Sequence, residues 1–253
     1  MKTLRDTWLV YQRAFGQSMR NPMWVFIGLL QPIFYLVLFG PLLTKITGTP
    51  GFGGDNSYAV FVPGLLIQLA FFGAIFVGFG LLDEIRHGVI ERMRVTPVSR
   101  LALLLGRALR DLTVGAVQAL ILLLIALPFG LRASAGGAVI AFALVLVIGL
   151  ACSAGSYAVA LLLNDQESFA SLLNGLALPL LLLSGVLLPL SLGPGWLRRV
   201  AEVNPLSYAV DASRTLFTGT MWDASVARGV AVTAAAALLA VWWAARAFGR
   251  SAA

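Results

Sequence analysis

Six long apolar stretches constrain the fold of this chain more than any other feature. Each is close to the ~20 apolar residues that a helix needs to cross a bilayer. The chain is 59% hydrophobic and only 11% charged, whereas soluble domains carry about 25% charged residues. The sequence therefore predicts an all-α integral membrane protein with six transmembrane helices, placed at Met23–Leu43, Tyr58–Leu82, Leu112–Leu131, Ala138–Leu163, Phe169–Leu192 and Gly229–Ala245.

Residues 1–22 have a different character from the spans that follow. Apolar side chains recur there at spacings of three and four residues, at Leu4, Trp8, Tyr11, Phe15 and Met19, and polar residues fill the other face. This pattern predicts an amphipathic helix that lies in the membrane interface. The alternative is a soluble helix that packs on a partner protein. The chain thus divides into this interfacial helix (1–22) and a six-span transmembrane domain (23–253).

A charged segment, residues 82–111, separates the second and third spans. It holds ten of the chain's 29 charged residues. Asp83 and Glu84 suit a helix start, where the macrodipole favours carboxylates, and Pro97 restricts Thr96 to extended geometry, which ends the helix. We expect a short amphipathic helix over about 84–95 that faces a partner through its charged side.

The distribution of lysine and arginine predicts the orientation in the membrane. With the N-terminus inside, the cytoplasmic side carries twelve Lys and Arg residues and the outer side six. Cytoplasmic loops of membrane proteins carry this excess. Both termini and residues 83–100 are therefore expected in the cytoplasm, and residues 44–57 and 193–225 outside.

The outer segment before the last span contains a predicted helix break. Asn is a good helix cap and Pro a good first residue, so the dipeptide at 204–205 starts a new helix. Two short helices over about 193–217 suggest a re-entrant hairpin that dips into the outer leaflet; the alternative is a loop on the outer surface. The residues that define this hairpin are Trp196, Asn204, Pro205, Asp211 and Arg214.

Four amide side chains fall within the predicted spans, where polar groups are costly unless they are paired. They are Gln31, Gln68, Gln118 and Asn174. They could line a substrate path, or they could hold neighbouring helices together by hydrogen bonds. No Asp, Glu, Lys or Arg falls near the centre of a predicted span, which argues against a proton- or sodium-coupled carrier.

Several kinds of chemistry have no motif in this sequence. There is no Gly-x-x-x-x-Gly-Lys-Ser/Thr loop and no His-Glu-x-x-His. The one histidine, His87, has no Cys or His neighbours for a metal site. We predict no catalytic residue, no metal site and no ATP hydrolysis by this chain alone. The net charge of +7 is not arranged as a basic face with interleaved aromatics, so nucleic acid is not an expected partner.

Two motifs carry a resemblance to a known family. They are Glu84-Ile-Arg-His-Gly-Val-Ile-Glu-Arg-Met-Arg-Val-Thr-Pro-Val-Ser-Arg100 and Asn204-Pro-Leu-Ser-Tyr-Ala-Val-Asp-Ala-Ser-Arg214. With the six spans and the N-terminal helix, they resemble the permease subunits of ABC exporters of the type-2 class, most closely the daunorubicin-resistance type. The resemblance implies a multi-pass protein of the cell (plasma or inner) membrane that pairs with a second permease copy.

The same resemblance implies a separate ATPase subunit, which would hold ATP and Mg. The helix at 84–95 would be the coupling helix inserted into that subunit, with the coupling residues Glu84, Arg86, Gly88, Glu91, Arg92, Arg94, Pro97 and Arg100. Arg5, Trp8 and Arg13 would form a second ATPase contact. The expected function is export of an amphipathic drug or lipid by alternating access. Alternatives are a polysaccharide or glycolipid exporter of the same class, a stand-alone secondary carrier, and a membrane scaffold.

Overall fold

The computed structural model describes residues 2–20, 23–43, 56–89, 100–132 and 134–250. Within those ranges every regular element is a helix, which confirms the all-α prediction. The α-helices are α1 (Lys2–Arg20), α2 (Met23–Leu43), α3 (Ser57–Ile75), α4 (Gly78–Arg86), α5 (Arg100–Ala126), α6 (Ala135–Leu163), α7 (Gln166–Leu182), α8 (Gly195–Ala201), α9 (Pro205–Phe217) and α10 (Ala224–Arg250), with a 3-10 turn at Leu190–Leu192.

Five helical stretches of the described chain are long and apolar enough to cross a membrane. They are Val25–Leu43, Ser57–Arg86, Ala102–Ala126, Ala135–Leu163 and Ala224–Gly249. They correspond to five of the six predicted spans. The chain is thus an integral, multi-pass membrane protein, and the count of six spans stays a prediction.

The predicted fifth span, Phe169–Leu192, is not one continuous helix. Helix α7 ends at Leu182 after 17 residues, at the lower limit of what a span needs. A turn follows in which Gly185 has a φ of 71°, a left-handed conformation that glycine adopts readily and that ends a helix. The boundary was wrong because the apolar length of the run was given more weight than its turn signals, the Ser184-Gly185 pair and Pro189.

Helix α3 is the centre of the bundle. Its side chains are buried without interruption from Ser57 to Leu69, and it contacts α2, α5, α6 and α9. This burial on all sides fits the composition of α3, because a helix that is apolar on every side is expected in a protein core or within a membrane. A Cβ on Gly64 would lie 2.2 Å from the carbonyl oxygen of Val186, so glycine is required where the turn after α7 crosses α3.

A short break separates α3 from α4 inside the candidate span Ser57–Arg86. One α6 side chain bridges it: the Ser156 hydroxyl donates to the Ile75 carbonyl at 2.6 Å and accepts from the Gly78 N–H at 3.0 Å. Backbone groups freed by a break within a membrane helix must find partners in the protein. The single hydroxyl of Ser156 satisfies one carbonyl and one N–H at this point.

The predicted helix at 84–95 is wrong at its start. Asp83 and Glu84 lie in the last turn of α4, which begins at Gly78 and ends at Arg86. The chain then turns at His87 and at Gly88, whose φ of 65° suits glycine at a helix C-terminus. Val89 has helical backbone again, and residues 90–99 lie outside the described residues.

Helix α1 packs along the first half of α5. The closest approach is at Gly106, where a Cβ would lie 2.7 Å from Val10 Cβ and 2.9 Å from the Thr7 carbonyl oxygen. The Thr113 and Tyr11 hydroxyls lie 3.4 Å apart on the same interface. Trp8, which we placed on the apolar face of α1, is 52% exposed. The helix therefore contacts its own chain through one face and leaves Trp8 available to lipid or to a partner.

Candidate functional site

A cavity of about 730 Å³ lies among α1, α2, α3, α5 and α6, and we call it the amide cavity. Its wall contains three of the four amides singled out in the sequence, Gln31, Gln68 and Gln118. Asn174 is not among its lining residues: it lies on the exposed side of α7. The structure therefore brings three of the four amides together and separates Asn174 from them.

The three amides differ in how they are paired. Gln118 donates from Nε2 to the Val25 carbonyl at 3.0 Å, which ties α5 to α2, and the contact is tight because a Cβ on Gly28 would lie 2.7 Å from that nitrogen. Gln31 has a long contact of 3.4 Å to the Tyr35 hydroxyl. Gln68 is fully buried, and neither end of its amide has a hydrogen-bond partner.

Charged residues form one end of the amide cavity, where Arg110 and Asp111 line the wall. Arg110 Nε lies 3.0 Å from Asp111 Oδ1, and the Tyr157 hydroxyl of α6 donates to Asp111 Oδ2 at 2.5 Å. Arg110 also reaches the Ser18 hydroxyl of α1 at 3.4 Å. This cluster joins α1, α5 and α6 at the cavity wall.

One buried carboxylate lies in a helix that is long and apolar enough to be a span. Asp111 lies within the candidate span Ala102–Ala126, and its side chain is only 7% exposed. The predicted third span began at Leu112 and so excluded it. A buried carboxylate is tolerated where it has charged and hydrogen-bonding partners, and Arg110 and Tyr157 provide them.

One turn earlier on α5, Arg107 forms an ion pair with Glu84 of α4. Arg107 is buried, and Arg86 of α4 donates to the Gln166 side chain of α7 at 2.7 Å. The two predicted coupling residues of α4 are therefore engaged with their own chain. Arg110 and Asp111 lie three and four residues after Arg107, so one face of α5 links the end of α4 to the amide cavity.

The remaining predicted coupling residues are only partly described. Gly88 lies in the turn after α4, Arg100 is the first residue of α5, and Glu91, Arg92, Arg94 and Pro97 lie outside the described residues. The three residues of the predicted second ATPase contact, Arg5, Trp8 and Arg13, are exposed on α1.

The segment that was predicted to lie outside has the predicted break. Helix α8 ends at Ala201 and α9 starts at Pro205. The Asn204 side chain accepts from the Leu206 N–H at 3.0 Å and donates to the Leu180 carbonyl at 2.7 Å. Asn204 therefore both caps α9 and ties it to α7, while Trp196 of α8 is exposed.

Arg214, one of the residues of the predicted hairpin, lies on α9 three residues after Asp211 and is 8% exposed. The two side chains are 4.0 Å apart, but the main contacts of Arg214 are with backbone: it donates to the carbonyls of Val60, Gly185 and Val186 at 2.9, 2.8 and 3.1 Å. Burial lowers the pKa of Arg214 to about 10, and the neighbouring Asp211 carboxylate partly offsets this. It remains a cation at neutral pH and holds α9, α3 and the turn after α7 together.

The chain is similar to known proteins over most of its length. The family model of the ABC-2 type transporter matches residues 5–218, a range that runs from α1 through the end of α9. The chain belongs to the ABC-2 type transporter family. As a member of that family it is a membrane transport subunit and not an enzyme.

Individual relatives agree with this assignment. The chain is 29% identical over 221 residues to a putative transport permease, ycf38, of Cyanophora paradoxa, covering 87% of this chain and 76% of the relative. It is 28% identical over 245 residues to the daunorubicin resistance ABC transporter permease protein DrrB1 of Streptomyces coeruleorubidus, covering 95% of this chain and 82% of the relative. An ABC-2 membrane protein works in general with an ABC-type ATPase.

The sequence did not identify Tyr157 or Arg107 as site residues. Tyr157 sits in an apolar span beside Ser156, and no charged residue near it in the sequence marks it as a site residue. Arg107 was visible as part of the charged segment, and its spacing to Arg110 and Asp111 was a usable signal of one helical face.

Proposed function

We propose that this ABC-2 family member is the membrane subunit of an ATP-driven exporter, coupled to a separate ATPase subunit that holds ATP and Mg. The observation that carries the proposal is the ion pair between Glu84 and Arg107. It connects the end of α4, next to the turn that leads into residues 90–99, to the helix face that lines the amide cavity. A displacement of α4 therefore reaches the cavity through bonded side chains.

The break between α3 and α4 gives this displacement a hinge. Helix α4 is only nine residues long, and its first residue, Gly78, donates to the Ser156 hydroxyl. Its C-terminal end is held by Glu84 and Arg86, which contact side chains on α5 and α7. Because polar contacts hold α4 at both of its ends, the helix can tilt as one rigid unit about the break. Rigid-body movement of this kind is used in switching between two states.

The docking surface for the ATPase is proposed at the same end of the molecule. The residues proposed to face the ATPase are Gly88, Glu91, Arg92, Arg94, Pro97 and Arg100, with Arg5, Trp8 and Arg13 as a second contact. Glu84 and Arg86, which are engaged with α5 and α7, are proposed to transmit movement. ATP binding would bias the permease toward one of two states by favouring the state that the closed ATPase fits.

The transported molecule is proposed to be an amphipathic drug, a lipid or a related molecule. The amide cavity has the size of a drug-binding pocket and combines apolar walls with Gln31, Gln68 and Gln118. The working unit is proposed as a pair of permease copies, most simply a homodimer, in the cell's inner membrane, with both termini in the cytoplasm. In this arrangement α7 is the fifth of six spans, and α8 and α9 form the re-entrant hairpin of the outer side.

Reconstitution with the ATPase tests this proposal. The permease is tagged, purified from its own cells with any ATP-binding subunit that remains bound, and placed in proteoliposomes. We expect an ABC-type ATPase to copurify and its ATP hydrolysis to rise when amphipathic drugs or lipids are added. Stimulation by glycans alone would favour the polysaccharide exporter. Absence of any ATPase from the purified, folded permease would contradict the proposal.

A further inference from the structure

We infer that the amide cavity selects an uncharged amphiphile, whose hydrogen-bonding head group pairs with Gln68 and Gln118 and whose apolar part lies against α2 and α3. This inference rests on the proposed function, in which the amide cavity receives the transported molecule, and it adds the chemical class of that molecule. Three features of the cavity lead to it: the charge balance, the unpaired amide and the apolar remainder of the wall.

The charge balance argues against a charged ligand. Among the described residues, Arg110 and Asp111 are the charged ones of the cavity wall, and they form an ion pair with each other. Asp111 is also held by Tyr157. A cationic or anionic ligand would have to break this pair to obtain a counter-charge, and a charge buried without a partner is strongly disfavoured. An uncharged ligand leaves the pair intact.

The unpaired amide argues for a ligand that forms hydrogen bonds. Gln68 lies at the cavity wall with both its amide oxygen and its amide nitrogen lacking a partner. A buried amide without a partner costs stability, and buried polar groups in folded proteins are nearly always paired. A ligand hydroxyl or carboxamide, which both donates and accepts, would satisfy both the amide nitrogen and the amide oxygen once the Gln68 side chain turns into the cavity.

The rest of the wall is suited to an alkyl or aromatic group. Val25 and Ile27 of α2 and Leu69, Phe72 and Phe76 on the α3 side line the same cavity. Ligand sites of this volume are mostly apolar with a few polar groups that fix the orientation. The head group would therefore lie at the amides, and the tail along these five side chains.

A matched set of photoreactive amphiphiles tests the inference. Three probes share one diazirine-bearing dodecyl chain and differ only in the head group: glucoside, trimethylammonium or sulfate. Each is titrated against the permease in lipid nanodiscs, without ATPase or nucleotide, and cross-linked residues are mapped by mass spectrometry. We expect the glucoside to bind at least about tenfold more tightly than either charged probe, with cross-links on the α2 and α3 residues named above. Equal binding of all three probes, or tighter binding of a charged one, would overturn the inference.

Variants at Gln68 separate ligand recognition from folding. Gln68→Met keeps the length of the side chain and removes the amide. We expect it to weaken glucoside binding about tenfold and to leave the thermal midpoint equal or higher, because an unpaired amide has been removed from the interior. Gln68→Leu serves as a second apolar replacement, and Asn174→Leu, which removes an exposed amide outside the cavity, is the control and should bind the glucoside as wild type does. Unchanged binding in folded Gln68→Met and Gln68→Leu would overturn the inference.

The binding assay also distinguishes this inference from the proposed function. Selective glucoside binding in a permease that recruits no ATPase would contradict ATP-driven export and leave the cavity assignment standing. ATP-driven export by a permease in which Gln68→Met changes neither binding nor selectivity would leave the proposed function standing and overturn the cavity assignment.

Discussion

The Ser156 hydroxyl lies 3.0 Å from the Gly78 backbone nitrogen and 2.6 Å from the Ile75 carbonyl oxygen, so one α6 side chain satisfies both sides of the break between α3 and α4. Gly78 fits closely against it: a Cβ there would lie 2.9 Å from Ser156 Oγ and 2.5 Å from Phe169 Cζ. The break is therefore stabilised by specific contacts, and the short helix α4 begins directly after it.

Replacing Ser156 by alanine should loosen this break. The substitution leaves one buried carbonyl and one buried N–H unpaired, which costs about 1–3 kcal/mol. We expect a lower thermal midpoint in detergent, measured by fluorescence-detected size-exclusion chromatography. Ser213→Ala is the matched control, because Ser213 is equally buried and its hydroxyl has no partner. Equal midpoints for the two variants would show that the Ser156 bonds do not stabilise the break.

Adding a methyl group at Gly106 should displace α1 from α5. The new Cβ would lie 2.9 Å from the Thr7 carbonyl oxygen, which belongs to a helix backbone and cannot turn away. Overpacking of this kind costs about 1–3 kcal/mol, so we expect faster tryptic cleavage within α1 of Gly106→Ala. Gly115→Ala on the same helix, where a Cβ meets nothing within 4 Å, is the control. Protection of α1 equal in both variants would contradict the close packing at Gly106.

The sequence predicted the helices well where length and apolarity decide the outcome. Five stretches match because a run of about twenty apolar residues has no other stable structure in a bilayer. It failed at local breaks. The turns at Gly88 and Gly185 depend on left-handed glycines, and other glycines in this chain, such as Gly64 and Gly106, sit inside helices for packing reasons. Sequence alone does not separate these two uses.

The sequence identified the amide side chains of the site but did not identify its buried charged side chains. Gln31, Gln68 and Gln118 stood out because an amide is rare in an apolar run. Their convergence depends on how α2, α3 and α5 pack, which no periodicity encodes. Asp111 was counted with the charged segment and Arg214 with the predicted hairpin, and neither pattern indicates a buried side chain, because a charged residue is usually exposed unless partners surround it. Those partners are a tyrosine on α6 and three backbone carbonyls, and they are visible only in three dimensions.

Arg214 should be the most sensitive single position at the end of the bundle that holds α8 and α9. Each hydrogen bond to a charged group contributes about 1.5–3 kcal/mol, and Arg214→Met removes three and leaves their carbonyls without this donor. We expect a large loss of folded protein, and little recovery in Arg214→Lys, whose single ammonium lacks the planar fork of guanidinium. The exposed Arg199→Met is the control and should behave as wild type. The yield and the thermal midpoint of the purified protein are measured for each variant. A wild-type midpoint in Arg214→Met would refute the role assigned to Arg214.

The orientation can be tested by labelling single cysteines in intact cells. Cys152 is the only native cysteine, so a Cys152→Ser background isolates introduced thiols. With a membrane-impermeant maleimide, we expect Pro50→Cys to react in intact cells and His87→Cys to react only after permeabilisation. The reverse pattern would place the charged segment outside and would exclude cytoplasmic coupling through it.

The most direct test of coupling is export measured for four versions of the Glu84–Arg107 pair. They are wild type, Glu84→Arg, Arg107→Glu and the double exchange, each assayed with its ATPase in proteoliposomes. Reversing one charge places like charges together in a partly buried site, which is disfavoured. We predict that each single variant still copurifies with the ATPase and that its export falls at least about tenfold, a barrier change of ~1.4 kcal/mol. We predict that the double exchange recovers a substantial part of the lost export. Wild-type export by both folded single variants would contradict the coupling path from α4 to the amide cavity.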